Sequence, residues 1–288
     1  MSSLYRNLRG RRLVRGPILL FVMALVVFAV LFVSESPARS ADSVVSTNQT
    51  DIDNGAVLFQ AHCQSCHGYQ GKGGVVNGAP ALVNVGAAAA DFYLTTGRMP
   101  LNAPNNEALR HHAAFSDKEI RELDAYINAL PSITGSGTAG PTIPTPEPLC
   151  PKAQQTSPST ADLQSTDPGC VTLSEGQELY AINCAQCHQA AGSGGMLSKG
   201  NVVPSLHNAN IVQAMEAPIV GPKPMPVFTQ FTNAQLSAIA QYVQYLNHPD
   251  DPGGAGISHF GPVAEGFVGI LIGFVLLWFA ARMIGNRG

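Results

Sequence analysis

The pattern CxxCH occurs twice, as Cys63-Gln64-Ser65-Cys66-His67 and as Cys184-Ala185-Gln186-Cys187-His188. This spacing is typical of a c-type haem attachment site, in which two thiols add to the porphyrin vinyl groups and the histidine binds the iron. A CxxC pair alone also occurs in redox dithiols and in zinc sites. The histidine that follows both pairs, and the long chain between them, favour two covalently bound haem c groups.

The similarity between the two halves of the chain extends beyond these motifs. Glycine and aromatic positions recur at one constant offset: Gly55, Leu58, Phe59, Gly71, Gly73 and Gly74 correspond to Gly176, Leu179, Tyr180, Gly192, Gly194 and Gly195. Downstream apolar positions recur as well: Phe115, Ile120, Leu123, Tyr126, Ile127 and Leu130 match Phe231, Leu236, Ile239, Tyr242, Val243 and Leu246. The repeat indicates that one domain has been duplicated.

Each half predicts an opening helix that runs into the haem motif and an amphipathic closing helix with apolar residues at intervals of three and four. A capping box is expected to start each closing helix, and Pro131 and Pro249 are expected to end them. Glycines at positions 55 and 176 would let the opening helix approach the closing helix closely. The fold class is therefore predicted to be all-α, with two tandem haem domains.

The predicted haem domains are residues 42–131 and 172–249. Between them, residues 132–171 are rich in proline, threonine and serine and predict a linker, and residues 250–262 predict a second one. Cys150 and Cys170 lie outside the haem motifs. They could form a disulfide, which persists on the oxidising side of a membrane, or they could stay as two free thiols.

Apolar segments lie near both chain ends. Residues 1–41 combine an arginine-rich start with an apolar run and predict an N-terminal membrane anchor or a signal peptide. Residues 263–284 predict a C-terminal transmembrane helix. Their apolar run is short of the roughly twenty residues that cross a bilayer comfortably, but flanking apolar residues and arginines that reach the interface extend it. The arginines beside both segments predict a cytoplasmic C-terminus and haem domains outside the cell membrane. A net charge of −3 gives no indication of nucleic-acid binding.

The sixth iron ligand separates an electron carrier from a catalyst, because an iron with an open position can bind small molecules. Met99 and Met225 each precede a proline on a loop between the haem motif and the closing helix. They are the predicted axial partners of His67 and His188, so no catalytic residue is expected. The alternatives are that these methionines fill the core, or that loop histidines replace them as ligands, namely His111, His112 or His207.

A histidine that binds a metal normally donates its other ring nitrogen to a carbonyl or carboxylate. Pro80 and Pro204 occupy similar positions after the two motifs. Their backbone carbonyls are therefore the expected partners of His67 and His188.

The glycine and aromatic residue before each motif, the Met-Pro loop and the tyrosine of the closing helix resemble class I cytochrome c domains. The duplication, together with the segment at residues 260–266, is similar to the dihaem cytochrome c subunit of the actinobacterial cytochrome bc1 complex. The resemblance implies an electron-transfer subunit of a menaquinol-oxidising oxidoreductase and translocase in the respiratory chain, beside a cytochrome b subunit. Electrons would pass from the Rieske iron-sulfur subunit through both haems to cytochrome aa3 oxidase.

Two other functions stay open at this point. The chain could be the dihaem electron-transfer subunit of another membrane oxidase, such as a cbb3-type enzyme, or of a dehydrogenase. It could also be a dihaem peroxidase with one open iron, a hypothesis motivated by the histidine-rich insertion around His111 and His112.

Overall fold

The computed structural model describes residues 45–76, 78–104, 106–150, 169–247, 249 and 262–285. These residues belong to one compact unit, Ala41–Gly288. The predicted N-terminal anchor or signal segment lies outside the described residues, as does nearly all of the second linker.

The first half contains the predicted opening and closing helices. It folds as α1 (Gln49–His62), α2 (Gln64–His67), a 3-10 turn (Tyr69–Gly71), α3 (Gly86–Thr95) and α4 (Asp117–Thr134). Ser116 and Glu119 form the expected capping box at the start of α4. The apolar side of α4 packs against α1 and α3, and the buried core between these helices includes Phe59, Leu123 and Leu130.

The second half repeats this arrangement. It folds as α5 (Leu173–Asn183), α6 (Ala185–His188), β1 (Gly195–Met196), a 3-10 turn (Ser198–Gly200), β2 (Val202–Val203), α7 (Ile211–Val220) and α8 (Asn233–Asn247). Its core is formed by Tyr180, Ile239 and Val243. The antiparallel ribbon of β1 and β2 is the departure from an all-α fold within the described residues.

The opening and closing helices cross at a glycine in both halves. A Cβ added to Gly55 would lie 2.0 Å from the backbone oxygen of Glu122, so the two backbones touch at this point. In the second half, a Cβ on Gly176 would lie 2.1 Å from the oxygen of Ala238. The close approach expected from the sequence is therefore confirmed.

Aromatic rings pack beside each crossing. The ring centroids of Phe59 and Tyr126 are 5.2 Å apart, and those of Tyr180 and Tyr242 are 5.4 Å apart. These residues stand at matching positions of the repeat. The duplication inferred from the sequence is thus visible in the tertiary contacts.

The expectation that Pro131 ends the first closing helix is wrong. The helix α4 continues past Pro131 to Thr134, and Gly135 follows in the left-handed conformation at φ 64°. Glycine ends the helix because it adopts this conformation without a Cβ penalty. The first closing helix is therefore longer than the proline suggested.

The first part of the predicted linker is packed against both halves. On the first half, the amide of Ala88 donates to the carbonyl of Pro141 at 3.1 Å. On the second half, the amide of Glu147 donates to Ser237 Oγ at 3.1 Å. Ile143 is buried between Ala87 and Val212, one from each half. A segment without apolar periodicity is held here by buried residues, among them Ile143 and Pro144, and by its own backbone hydrogen bonds.

Cys150 and Cys170 are joined by a disulfide bond in the structure. The amide of Cys150 also donates to the carbonyl of Val171 at 2.9 Å. The end of the packed segment is thus tied to the start of the second half. Residues 151–168, which lie between the two cysteines, are outside the described residues.

The prediction of a transmembrane helix at residues 263–284 requires correction. The segment does form a helix, α9 (Pro262–Gly285). Within the described residues, however, no helix combines the length and the apolarity that a bilayer crossing requires. The uninterrupted apolar run extends only from Gly266 to Ala281, short of the roughly twenty residues that span the hydrocarbon core.

Candidate haem-binding site

Each CxxCH motif lies on a single helical turn that follows an opening helix. The amide of Cys63 donates to the carbonyl of Phe59 at 2.9 Å, and the amide of Cys184 donates to that of Tyr180 at 2.8 Å. The motif then continues as the short helix α2 or α6. In helical geometry, residues three and four positions apart share a face. The two thiols and the histidine of each motif therefore face one side.

The two histidines are held by backbone carbonyls, as expected from the sequence. His67 Nδ1 lies 2.9 Å from the carbonyl oxygen of Pro80. His188 Nδ1 lies 3.1 Å from that of Pro204. When Nδ1 donates its proton to this carbonyl, Nε2 keeps the lone pair that binds a metal.

The environment of His188 favours the neutral imidazole. Burial lowers the pKa of His188, and the hydrogen bond to Pro204 acts in the opposite direction. The neutral form is the one that binds iron.

The first thiol of each motif has a raised pKa. Burial, with a smaller contribution from Cys66, raises the pKa of Cys63 to about 11. Burial, with a smaller contribution from Cys187, raises the pKa of Cys184 to about 11. Redox-active CxxC pairs instead have a thiol pKa lowered below its ordinary value. A dithiol redox centre is therefore disfavoured, and the described residues contain no group of three or more His, Cys, Asp or Glu placed to hold a bare metal ion.

The two predicted methionine ligands lie on loops that are held by backbone hydrogen bonds. The amide of Met99 donates to the carbonyl of Tyr93 at 3.1 Å. The amide of Met225 donates to the carbonyl of Pro222 at 2.8 Å, just after α7. Backbone hydrogen bonds thus fix both loops, and the two methionines line the same cavity as the histidines.

The other methionines occupy different surroundings. Met196 is 80% exposed on the β ribbon. Met215 is fully buried in the core between α7 and α8, as expected from its helical position.

The competing histidines are engaged elsewhere or exposed. His207 Nε2 lies 2.9 Å from the carbonyl oxygen of Ala191. His111 and His112 are exposed residues of the insertion and are not among the residues that line the cavity.

One cavity of about 1490 Å³ contains all the predicted attachment and axial residues, which come from both halves: Cys63, Cys66, His67, Met99, Cys184, Cys187, His188 and Met225. Single small-molecule sites usually measure roughly 300–1,000 Å³. The cavity exceeds that range, and the predicted attachment residues of both halves line it. The remaining lining is mostly apolar and includes Leu82, Leu94, Leu206 and Ile239, which suits a porphyrin ring.

Arg98 gives an independent test of fit, because a haem carries two carboxylates. Arg98 lines the cavity next to Met99. Its Nη1 donates to the carbonyl of Ala108 at 2.6 Å, and its guanidinium carbon lies 5.5 Å from the ring centroid of Phe92. Its Nε is buried and has no acceptor among the described residues. A buried donor of this kind costs free energy unless it is paired, so the site has an unmet capacity for an anionic group.

Sequence reasoning missed Arg98. The signal that could have found it is a basic residue just before each predicted axial methionine, Arg98 before Met99 and Lys223 before Met225. The second of these, Lys223, is exposed.

A helical domain with CxxCH on one helical turn, and with a carbonyl-bonded histidine and a methionine lining one cavity, defines the class of c-type cytochromes. A sequence model of the family described as cytochrome c oxidase, cbb3-type, subunit III matches residues 50–127 and again residues 171–243. The two matches coincide with the two structural halves.

Curated relatives match nearly the whole chain. The cytochrome bc1 complex cytochrome c subunit of Mycobacterium tuberculosis is 33% identical over 97% of this chain and 93% of its own length. That of Mycobacterium leprae is 33% identical over 93% of this chain and 87% of its own length. That of Corynebacterium diphtheriae is 31% identical over 87% of both chains. The chain therefore belongs to the family of cytochrome bc1 complex cytochrome c subunits.

Proposed function

We propose that this chain carries electrons through two covalent haem c groups, as the cytochrome c subunit of a menaquinol-oxidising bc1 complex. The observation that supports the proposal best is the single cavity lined by two complete sets of attachment and axial residues. Electrons would enter from a Rieske iron-sulfur subunit on the side of the first half. They would leave to cytochrome aa3 oxidase on the side of the second half.

The residues of the first half would bind one haem. Cys63 and Cys66 would attach it, and His67 and Met99 would bind its iron. The carbonyl of Pro80 orients the His67 ring through the 2.9 Å contact, and Arg98 would hold a haem carboxylate. Bound in this way, the haem supplies one-electron redox chemistry.

The residues of the second half would bind the other haem in the same way. Cys184 and Cys187 would attach it, His188 and Met225 would bind the iron, and the carbonyl of Pro204 orients His188. With two protein ligands, each iron would have no open position for an exogenous molecule. No bond to a substrate is made or broken at this subunit, and the oxidoreductase reaction belongs to the whole complex.

The names of the relatives, each a cytochrome c subunit of a cytochrome bc1 complex, support a place in such a complex, and the individual partners are those that the family resemblance implies. A cytochrome b subunit would therefore accompany the Rieske subunit at the cell membrane. The Cys150–Cys170 disulfide supports a position of the haem domains on the extracytoplasmic side, because disulfides persist in oxidising compartments.

Optical spectroscopy of methionine variants tests the ligand assignment. The oxidised protein should show a sulfur-to-iron charge-transfer band, and Met99→His and Met225→His should each remove about half of it. Met196→His is the matched control, because Met196 is 80% exposed and should leave the band intact. A haem assay should give two haems per chain. A wild-type protein without the band, or with rapid cyanide binding, would contradict the proposal and favour the peroxidase alternative.

The domain match to cbb3-type subunit III supports one second candidate, an electron-transfer subunit of an oxidase. Purification of the complex from its native membrane distinguishes the two. Copurification with Rieske and cytochrome b subunits is expected, whereas copurification with a cbb3-type catalytic subunit in their place would favour the second candidate.

A further inference from the structure

An insertion in the first half contacts both haem domains. Residues 106–114, here called the insertion, lie between the Met99 loop and α4 and have no counterpart in the second half. The sequence singled them out for His111 and His112, but these side chains do not line the cavity. The backbone of the insertion and the side chain of Arg110 make its contacts with the two halves.

On one side, the insertion lies against the loop that carries Met99. Arg98 Nη1 donates to the carbonyl of Ala108 at 2.6 Å, and the amide of His111 donates to the carbonyl of Thr96 at 3.1 Å. A Cβ on Gly97 would lie 2.4 Å from the carbonyl oxygens of His111 and of the next residue. The insertion therefore packs directly on the backbone of this loop.

On the other side, Arg110 reaches the second half. Its Nη2 donates to the carbonyl of Asn208 at 2.6 Å and to Gln213 Oε1 at 3.0 Å. Hydrogen bonds from a guanidinium are stronger than those between neutral groups. Arg110 thus bridges residues about a hundred positions away in the chain.

The acceptors of Arg110 are part of the start of α7. Asn210 and Gln213 form a capping box, in which the amide of Gln213 donates to Asn210 Oδ1 at 2.8 Å. At its other end, α7 leads into the Met225 loop, and the carbonyl of Pro218 accepts from the amide of Phe228 at 2.9 Å. Arg110 therefore holds the helix from which the second methionine loop departs.

The surrounding contact between the halves is small and mostly apolar. The helices α3 and α7 pack against each other, and Ala87, Ile143 and Val212 form a minor buried cluster there. Apolar packing of this kind is not directional. The hydrogen bonds of Arg110 are directional, and they join the two halves in addition to those made by the segment that contains Pro141 and Glu147.

We propose that Arg110 is a positioning residue that couples the Met99 loop to α7 and so sets the spacing between the two haem sites for direct electron exchange. The inference rests on the proposed two-haem function and deepens it. The insertion acts as a clasp between the domains, and its histidines take no part in iron binding.

Hydrogen exchange of the full-length protein tests the clasp. The variant Arg110→Met keeps the aliphatic stem and removes every donor. Two hydrogen bonds from a charged group are lost, so we expect exchange at the amides of His111 and Gln213 to rise about tenfold or more. Arg110→Lys keeps one charged donor and should recover part of the protection. Arg121→Met, at an exposed arginine of α4, is the matched control and should leave both amides unchanged.

The distance between the haems is a second measurement. A purely local structural role of Arg110 would leave this distance unchanged. Pulsed EPR on the oxidised protein should give a wider distribution of iron-to-iron distances in Arg110→Met than in wild type, and transient absorption should show slower exchange between the haems. Unchanged exchange at Gln213, or an unchanged distance distribution, would overturn the proposal. A protein without two His/Met haems would instead contradict the proposed function, and the amide exchange would still decide whether the clasp exists.

Discussion

The two halves of this protein have the same crossing of the opening and closing helices. They differ in whether other residues cover the closing helix. In both, a glycine of the opening helix touches the backbone of the closing helix, and two aromatic rings pack beside the crossing. At position 121 of the first closing helix, an arginine is exposed. At the matching position of the second, Ser237 is fully buried, because the segment containing Glu147 lies over it.

This difference indicates how a duplicated domain diverges. The helix crossing is the same in both halves, and each half contributes a CxxCH motif and a methionine to the lining of the cavity. The outer surfaces meet different neighbours: Ser237 accepts from the amide of Glu147, and Asn233 donates to the carbonyl of Thr145 at 2.9 Å. The connecting segment therefore accounts for substitutions that the repeat alone does not explain.

The largest effect is expected when the glycine at each helix crossing is replaced by alanine, which adds a methyl group. Gly55→Ala and Gly176→Ala would each place a Cβ within 2.1 Å of a backbone oxygen. Backbone cannot rotate away, so each variant should lose about 3 kcal/mol of unfolding free energy, the upper part of the overpacking range. Chemical denaturation measures this loss. Gly269→Ala is the control, because nothing lies within 4 Å of its added Cβ. Unequal losses of unfolding free energy in the variants at positions 55 and 176 would show that the two crossings are not equivalent.

The next prediction concerns the surface of the closing helices, which is covered at position 237 and exposed at the matching position 121. Ser237→Ala leaves the half-buried amide of Glu147 without its acceptor and should cost about 1.5 kcal/mol, in the lower part of the range for an unsatisfied donor. Arg121→Ala, at the exposed equivalent, should change stability by less than about 0.5 kcal/mol. Equal effects in denaturant unfolding would mean that the connecting segment does not protect the second closing helix.

A smaller difference lies inside the repeat, where Phe59 is matched by Tyr180. The hydroxyl of Tyr180 donates to the carbonyl of Gln189 at 2.7 Å. Tyr180→Phe should therefore cost about 1 kcal/mol, the usual net value of one hydrogen bond. Tyr69→Phe serves as the control, because Tyr69 is 67% exposed and should be neutral in the same unfolding measurement.

The smallest expected effect is a dependence of stability on pH, which distinguishes the capping box of the first closing helix from that of the second. Hydrogen bonds from the side chain and then the amide of Ser116 lower the pKa of Glu119 from its ordinary 4.5, whereas the second box uses Gln235, which does not titrate. A carboxyl with a lowered folded-state pKa stabilises the fold above its unfolded pKa. That contribution is lost as pH falls below 4.5 and through the folded value.

Unfolding measured as a function of pH checks this difference. Glu119→Gln should flatten the acid limb of the stability profile slightly, and Gln235→Glu should introduce a matching dependence at α8. If neither variant changes the fall in stability at acidic pH, the two capping boxes do not differ in their dependence on pH.

Part of the site was predictable because its signals are local. The CxxCH spacing, the Met-Pro loops and the carbonyls of Pro80 and Pro204 each lie within one stretch of chain, and the structure brings all of these residues to one cavity. The helix ends were less predictable: Pro131 fits within the last turn of α4, and Gly135 supplies the actual end. The C-terminal apolar segment forms a helix, but its span as a membrane helix was overestimated from hydropathy and flanking residues.

The sequence by itself determined the two haem motifs, the duplication and the helix crossings, because covalent attachment and helical periodicity depend on residues a few positions apart. Only the tertiary structure decided that Thr145 and Glu147 contact the second closing helix and that Arg98 and Arg110 serve the shared cavity and the clasp. These contacts join residues up to about a hundred positions apart. Nothing in a local pattern fixes which distant carbonyl a guanidinium will meet, since that depends on how two complete domains pack.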